Sequence, residues 1–243
     1  MILELDLGNT RGKWRVQNGA GVVASGVFVH DDRLDPALLE LAIERVKIAN
    51  VAAHGVLEKL CLQLLPLGVE LEVAVSAKVT AGVVNGYAEP WRLGVDRWSA
   101  IVAAYQQRRS AVLVVDAGSA ITVDLVDASG AHLGGYITPG LGLMRSSLLQ
   151  NTGGVRFECS NYDAGVGFGC NTEAAVSAGV LASSLGVVLV AVAEAKEKLS
   201  TSFDVLLTGG DAGLLAELLP QLGLTTITVA PDLVLDGLQW LLP

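Results

Sequence analysis

Met1-Ile-Leu-Glu-Leu-Asp6-Leu7-Gly8-Asn9-Thr10-Arg11-Gly12-Lys13-Trp14-Arg15 is the stretch from which the fold is read. An alternating apolar run from Ile2 to Leu5 delivers an aspartate onto a Gly-Asn-Thr turn, and a second extended run, Lys13 to Val16, leads away from it. The pattern predicts a strand, a tight turn and a returning strand. Gly8 permits close approach of the backbone, Asn9 tolerates left-handed geometry, and the amides of such a turn can face phosphate oxygens. An aspartate at the mouth of the turn suits a hydrated magnesium ion. Taken alone, the stretch reads first as a hairpin with a polar turn.

The same pattern returns 110 residues later. Ala111-Val-Leu-Val-Val-Asp116-Ala-Gly118-Ser119-Ala120-Ile-Thr122-Val-Asp124 again runs apolar strand, Asp-x-Gly, hydroxyl-bearing turn and return strand. A third strand follows each copy, Val22 to Val29 in the first half and His132 to Ile137 in the second. Asp35-Pro36 then opens a periodic run, Ala37 to Ile48, that predicts a helix. It is followed by a strand near Val51 to Ala53, a helix from Leu57 to Leu65 and a strand from Leu71 to Val75. Ser76 to Pro90 is a loop containing Asn85-Gly86-Tyr87, and it leads through Leu93-Gly94-Val95-Asp96-Arg97 into a helix ending near Arg109. The second half continues with a helix from Pro139-Gly140 through Leu149, an irregular glycine-rich stretch, and a long apolar helix capped at Asn171-Thr172-Glu173. Strand Val205 to Thr208, the pair Gly209-Gly210, helix Ala212 to Leu219, strand Thr226 to Val229 and a last helix complete it. Two similar α/β halves are expected, residues 1–109 and 110–243.

Composition narrows the partners. A net charge of -9 disfavours nucleic acid and anionic membrane surfaces and favours a small-molecule ligand. The uncharged run Ala174 to Ala193 is long enough to span a bilayer, but six alanines, three serines and two glycines give it little insertion energy. It is expected to be a packed helix within the domain, with Gly179 and Ser183 allowing close approach of another backbone. Glu4 and Asp6 interrupt any secretory signal, so a cytoplasmic location is expected. Three cysteines (Cys61, Cys159, Cys170) and three histidines (His30, His54, His132) have no zinc-site or disulfide spacing and receive no role.

Two matching Asp-x-Gly hairpins suit a clamp for nucleotide phosphates. No P-loop is present, and Gly165-x-Gly167-x-Gly169 lacks the spacing and the preceding strand of a dinucleotide fingerprint. Thr208-Gly209-Gly210-Asp211, a strand-to-helix junction, suits a turn packed against a nucleoside.

Together these segments resemble the superfamily of acetate and sugar kinases, heat-shock chaperones and actin. More narrowly, Asp6-x-Gly-Asn-Thr, Asn85-Gly-Tyr87, Gly94-x-Asp96-Arg97, Asp116-x-Gly-x-Ala-x-Thr-x-Asp124, Gly134-Gly-Tyr-Ile-x-Pro139-Gly140 and Thr172-Glu-Ala resemble type III pantothenate kinase. The resemblance implies two duplicated ribonuclease H-like domains with an active-site cleft between them. It also implies ATP-dependent phosphorylation of pantothenate, the first step of coenzyme A synthesis, by a homodimer. Asp6 to Lys13 (Asp6, Leu7, Gly8, Asn9, Thr10, Arg11, Gly12, Lys13) would then form the ATP phosphate loop, with Asp6 near magnesium and Ser119 touching ATP. Tyr87, Gly94, Val95, Asp96, Arg97 and Thr172 would line the pantothenate pocket, with Asp96 as the base and Thr172 both helix cap and ligand contact. Asp116 would hold a monovalent cation, K+ or NH4+. The chain departs from the family in having Ser119 for a threonine and Asn151-Thr-Gly-Gly-Val-Arg-Phe157 for a threonine-rich loop. A kinase of another hydroxy acid or sugar, or a non-catalytic nucleotide-binding regulator, are the alternative functions.

Overall fold

The computed structural model describes residues 1–29, 34–53, 55–152 and 167–243. His30, His54, Cys159, Gly165 and most of the glycine-rich stretch 151–170 lie outside the described residues. In chain order the elements are β1 (Ile2–Leu7), β2 (Arg11–Asn18), β3 (Gly21–Val29), a 3-10 turn (Pro36–Glu40), β4 (Arg45–Asn50), α1 (Val56–Leu64), β5 (Leu71–Val73), β6 (Val79–Thr80), β7 (Val83–Val84) and α2 (Val95–Arg108). Then come β8 (Val112–Ala117), β9 (Ala120–Val126), β10 (His132–Pro139), α3 (Leu141–Asn151), α4 (Thr172–Lys198), β11 (Asp204–Thr208), α5 (Ala212–Leu218), β12 (Thr228–Val229) and α6 (Leu233–Leu241).

The repeat seen in the sequence is a repeat of topology. One sheet runs β3-β2-β1-β4-β5 and the other β10-β9-β8-β11-β12, the same order with the same directions. In each, the first three strands form an antiparallel meander and the last two lie parallel to the central strand. The duplicated hairpin predicts two similar α/β halves, and these are the two ribonuclease H-like sheets that the resemblance implies.

The chain divides into two compact units, Met1–Gln107 together with Asp232–Pro243, and Arg108–Pro231. Division at residue 109 assigns the closing helix to the second half; its contacts assign it to the first. α6 packs on β1 and β4, Ser99 Oγ donates to Val234 O (2.7 Å), and Gly237 lies against the Ser99 carbonyl where a Cβ has no room. The periodic run Ala37 to Ile48 is also not a helix. It holds the 3-10 turn, in which the Asp35 side chain accepts from Ala37 N (3.0 Å), and then the strand β4. Residues 46 to 49 are all buried, because β4 has neighbours on both edges and cover on both faces. Its alternation is therefore masked.

The first unit's core gathers Leu3, Leu5, Leu7, Val16, Val46 and Ile48 on one face of the sheet under Leu38, Leu60 and Leu64. In the second unit the core is built on Leu113, Val115, Ile121, Val123 and Leu207, covered by Leu181, Leu185 and Val188 of α4. That helix is long and apolar enough to cross a membrane, yet half of its most apolar window is buried in the fold. Its composition is explained by packing. Gly179, expected to face another backbone, has open space above it.

Candidate active site

Asp6 and Asp116 occupy the same place in the two sheets, one residue before the end of the central strand. Asp6 lies between Lys13 of β2 and Ala49 of β4; Asp116 lies between Thr122 of β9 and Thr208 of β11. A central strand ending in a carboxylate beside a tight turn puts that charge at the sheet's rim rather than in its core. Asn9, Thr10 and Arg11 are exposed at the first turn, whereas the Leu7 side chain is wholly in the core and its carbonyl accepts from Val51 N (2.9 Å). Gly12 is a packing glycine, because the Phe28 ring lies where a Cβ would stand. At Gly8 a Cβ would come 3.2 Å from Arg11 O, so the turn is tight at that point too. Lys13 Nζ is 3.2 Å from Asp232 Oδ1.

The residues expected to line the acceptor pocket come together through a loop that one asparagine organises. Asn85 is fully buried; its Nδ2 donates to Ala77 O and Pro90 O (both 3.2 Å), and its Oδ1 accepts from Tyr87 N (3.0 Å). Lys78 Nζ caps the Asn85 carbonyl (2.9 Å), and Ser76 Oγ donates to Leu93 O (2.7 Å). Tyr87 is thereby delivered to Arg97, whose NH1 donates to the phenol oxygen (3.0 Å) with the guanidinium 5.8 Å from the ring centre. Asp96 sits in the first turn of α2, where its Oδ1 accepts from Arg97 N (2.7 Å). A side chain at Gly94 would stand 2.6 Å from that carboxylate oxygen, so the glycine leaves it room. Val95 turns into the core. Tyr87, Gly94, Asp96 and Arg97 therefore converge, with Asp96 half-buried and Arg97 mostly buried. Asn85 is the organiser the motif contained without disclosing; its signal was the Asn-Gly pair inside a loop of weak periodicity.

In the second unit the Asp116-x-Gly hairpin and the Gly209-Gly210 turn meet. Asp211 N donates to Ala117 O (2.9 Å) and Gly140 N donates to Ser119 O (2.9 Å), which fastens the Gly118-Ser119 turn from two sides. Gly209 has φ +91, and a Cβ there would run into the Asp116 carboxylate and the Ala117 carbonyl. Gly209→Ala is therefore expected to cost about 1–3 kcal/mol of stability and to displace Asp116. Urea unfolding together with an ATP titration would check both effects; an unchanged midpoint would contradict the strain.

Thr172 opens α4, but the cap is Asn171, whose Oδ1 accepts from Ala174 N (2.9 Å). Thr172 is left at the end of a groove of about 950 Å³ between α3 and α4, lined also by Leu143, Met144, Val176, Gly179 and Ser183. Cys61 is half-buried; burial and then the Glu58 charge push its thiol up, which disfavours a nucleophile.

Comparison with known proteins decides the family. A model described as type III pantothenate kinase matches residues 2–194. A type III pantothenate kinase of Pseudomonas aeruginosa (strain LESB58) is 41% identical over 251 residues, covering 100% of this chain and 99% of that protein. One from Ectopseudomonas mendocina is 39% identical over 246 residues, covering 98% and 97%. This chain belongs to the type III pantothenate kinases. Among solved structures, a conserved Baf family protein from Campylobacter jejuni superposes with a TM-score of 0.62 at 20% identity, covering 98% and 95%. The activator of 2-hydroxyisocaproyl-CoA dehydratase from Clostridium difficile, with bound ADPNP, gives 0.52 at 14%, covering 99% and 94%. At such identities the likeness is one of fold.

The ions that the resemblance implies fit the residues. Among the described residues no cluster of three or more His, Cys, Asp or Glu side chains forms a cage for a metal. One carboxylate at a strand end, completed by water and phosphate oxygens, is the usual way magnesium is held beside a nucleotide. Asp6 has that character. Asp116, with the backbone carbonyls of its turn close by, offers the all-oxygen surroundings that a monovalent cation takes.

Proposed function

We propose that this chain transfers the γ-phosphoryl group of ATP to the primary hydroxyl of pantothenate, the first step of coenzyme A biosynthesis. The observation that carries the reading is the convergence of Tyr87, Gly94, Asp96 and Arg97 in a member of this family. In this reading Asp6 to Lys13 and Ser119 hold the ATP phosphates, and Tyr87, Gly94 to Arg97 and Thr172 bind pantothenate. Bound at Asp6 and Asp116 respectively, magnesium and a monovalent cation supply neutralising charge.

Phosphoryl transfer depends on charge neutralisation and in-line placement more than on a strong base. The Asp96 carboxylate orients the hydroxyl and accepts its proton as the oxygen bonds to phosphorus and ADP departs. Arg97, held by Tyr87, fixes the acceptor. The enzyme works in the cytoplasm as a homodimer, and the exposed Leu143, Leu148 and Val190 of α3 and α4 support a surface for the second copy.

A coupled assay of ADP release with pantothenate, magnesium and potassium tests the reading. Turnover that needs pantothenate is expected. Turnover on another alcohol instead would move the substrate, and ATP binding without any turnover would favour a regulator.

A further inference from the structure

One face of the first sheet is charged. Glu4 pairs across strands with Arg15 and Asp6 with Lys13, while Lys47 of β4 neighbours Glu4 from the other side. The opposite face carries Leu3, Leu5, Leu7, Val16, Val46 and Ile48. α6 brings two acids to the charged face. Asp232 Oδ1 lies 3.2 Å from Lys13 Nζ, and Asp236 Oδ1 accepts from Arg15 NH1 at 2.6 Å.

The two spacings match. Four residues along a helix rise about 6 Å, and two residues along a strand about 6.7 Å. Asp232 and Asp236 therefore meet Lys13 and Arg15 rung for rung. The inner rung is fixed, since Arg15 also donates through Nε to Glu4 Oε2 (2.7 Å) and is mostly buried. The outer rung is the informative one. Asp232 stands at the N-cap position of α6, where an aspartate ordinarily accepts from the helix's own amides; it makes no such bond, and its carboxylate lies instead beside Lys13.

We propose that Asp232 is a positioning residue for the phosphate hairpin: its carboxylate holds the Lys13 ammonium at the place from which it meets the nucleotide. This rests on the reading that Lys13 contacts the ATP phosphates. An ammonium has three donors, so it can serve a carboxylate and a phosphate oxygen at the same time. Holding the long side chain beforehand removes rotamer freedom that ATP binding would otherwise have to remove. Both partners are part-exposed, so the pair adds little to stability and its effect is read in nucleotide affinity.

The test compares Asp232→Asn, Asp232→Glu, Lys13→Met and the double variant Lys13→Met/Asp232→Asn in the full chain. Affinity for magnesium-ATP is measured by titration calorimetry, and KM for both substrates by the coupled assay. Asp232 makes no cap bond and its ion pair is part-exposed, so Asp232→Asn should keep the thermal midpoint. It should weaken ATP about two- to five-fold, the range of an exposed ion pair, and leave the pantothenate KM unchanged. Asp232→Glu should recover most of the loss, and Asp232→Asn should add nothing once Lys13 is methionine. Unchanged or tighter ATP binding in Asp232→Asn, or equal further loss in the Lys13→Met background, overturns the proposal. If Lys13→Met itself leaves ATP binding intact, the phosphate role of Lys13 falls first and the proposal with it.

Discussion

Asp96→Asn is expected to lower kcat by about 10²- to 10⁴-fold while the protein stays folded and binds ATP as before. In the proposed reading this side chain has two jobs, one in the helix and one in the reaction. Its Oδ1 accepts from Arg97 N (2.7 Å) in the first turn of α2, a bond that an asparagine carbonyl oxygen reproduces. The amide cannot take a proton and carries no charge toward the acceptor hydroxyl, so the loss should fall on the chemical step. Tyr87 and Arg97 remain to bind the acceptor, so the pantothenate KM should move far less than kcat. The coupled assay gives both constants, and titration calorimetry reports ATP. A loss below ten-fold would mean that Asp96 serves the helix and not the reaction.

The second large effect is on stability. Arg15→Met should destabilise the first unit by about 3–5 kcal/mol at neutral pH, the cost of leaving a buried charge without its partner. Glu4 is fully buried, and Arg15 supplies it with charge-assisted hydrogen bonds while Gln17 Nε2 donates to the other oxygen (2.7 Å). Even in the intact protein burial pushes the Glu4 carboxyl above its ordinary 4.5, with Arg15 and Lys47 pulling the other way. The native state therefore binds more protons than the unfolded chain between pH 4.5 and the raised value, so stability falls as pH rises through that window. Removing Arg15 takes away the largest opposing influence and widens the window. Urea unfolding should show a larger deficit at pH 8 than at pH 5, and the added change Glu4→Gln should restore more than half of it at pH 8. Equal deficits at both pH values would show that lost packing, not the orphaned carboxylate, is responsible.

What could be seen in the residues, and what could not, follows from how local each signal is. The hairpins at Asp6 and Asp116 were legible because strand, Asp-x-Gly and return strand are written in consecutive residues and written twice. The junction at Gly209-Gly210 was legible only as a turn. Its contact with the Asp116 carboxylate, which explains a glycine at φ +91, depends on the pairing of β8 with β11. β4 was misread because burial on both faces hides a strand's alternation inside what looks like a helical period. The place of α6 was out of reach for another reason. Arg15 and Asp236 are 221 residues apart, and neither residue's neighbours announce the other.

Because α6 belongs with the first unit, that unit is interrupted in the chain by the whole of Arg108–Pro231. On a ribosome the strands carrying Glu4 and Arg15 emerge early, but Asp236 follows only after the second unit has been made. At about 5–20 residues per second that is a wait of about 6–25 s. The second unit is contiguous and can close as soon as its last strand appears. The earlier-made half is therefore the later one to be completed, and during the wait its charged sheet face stands open to water.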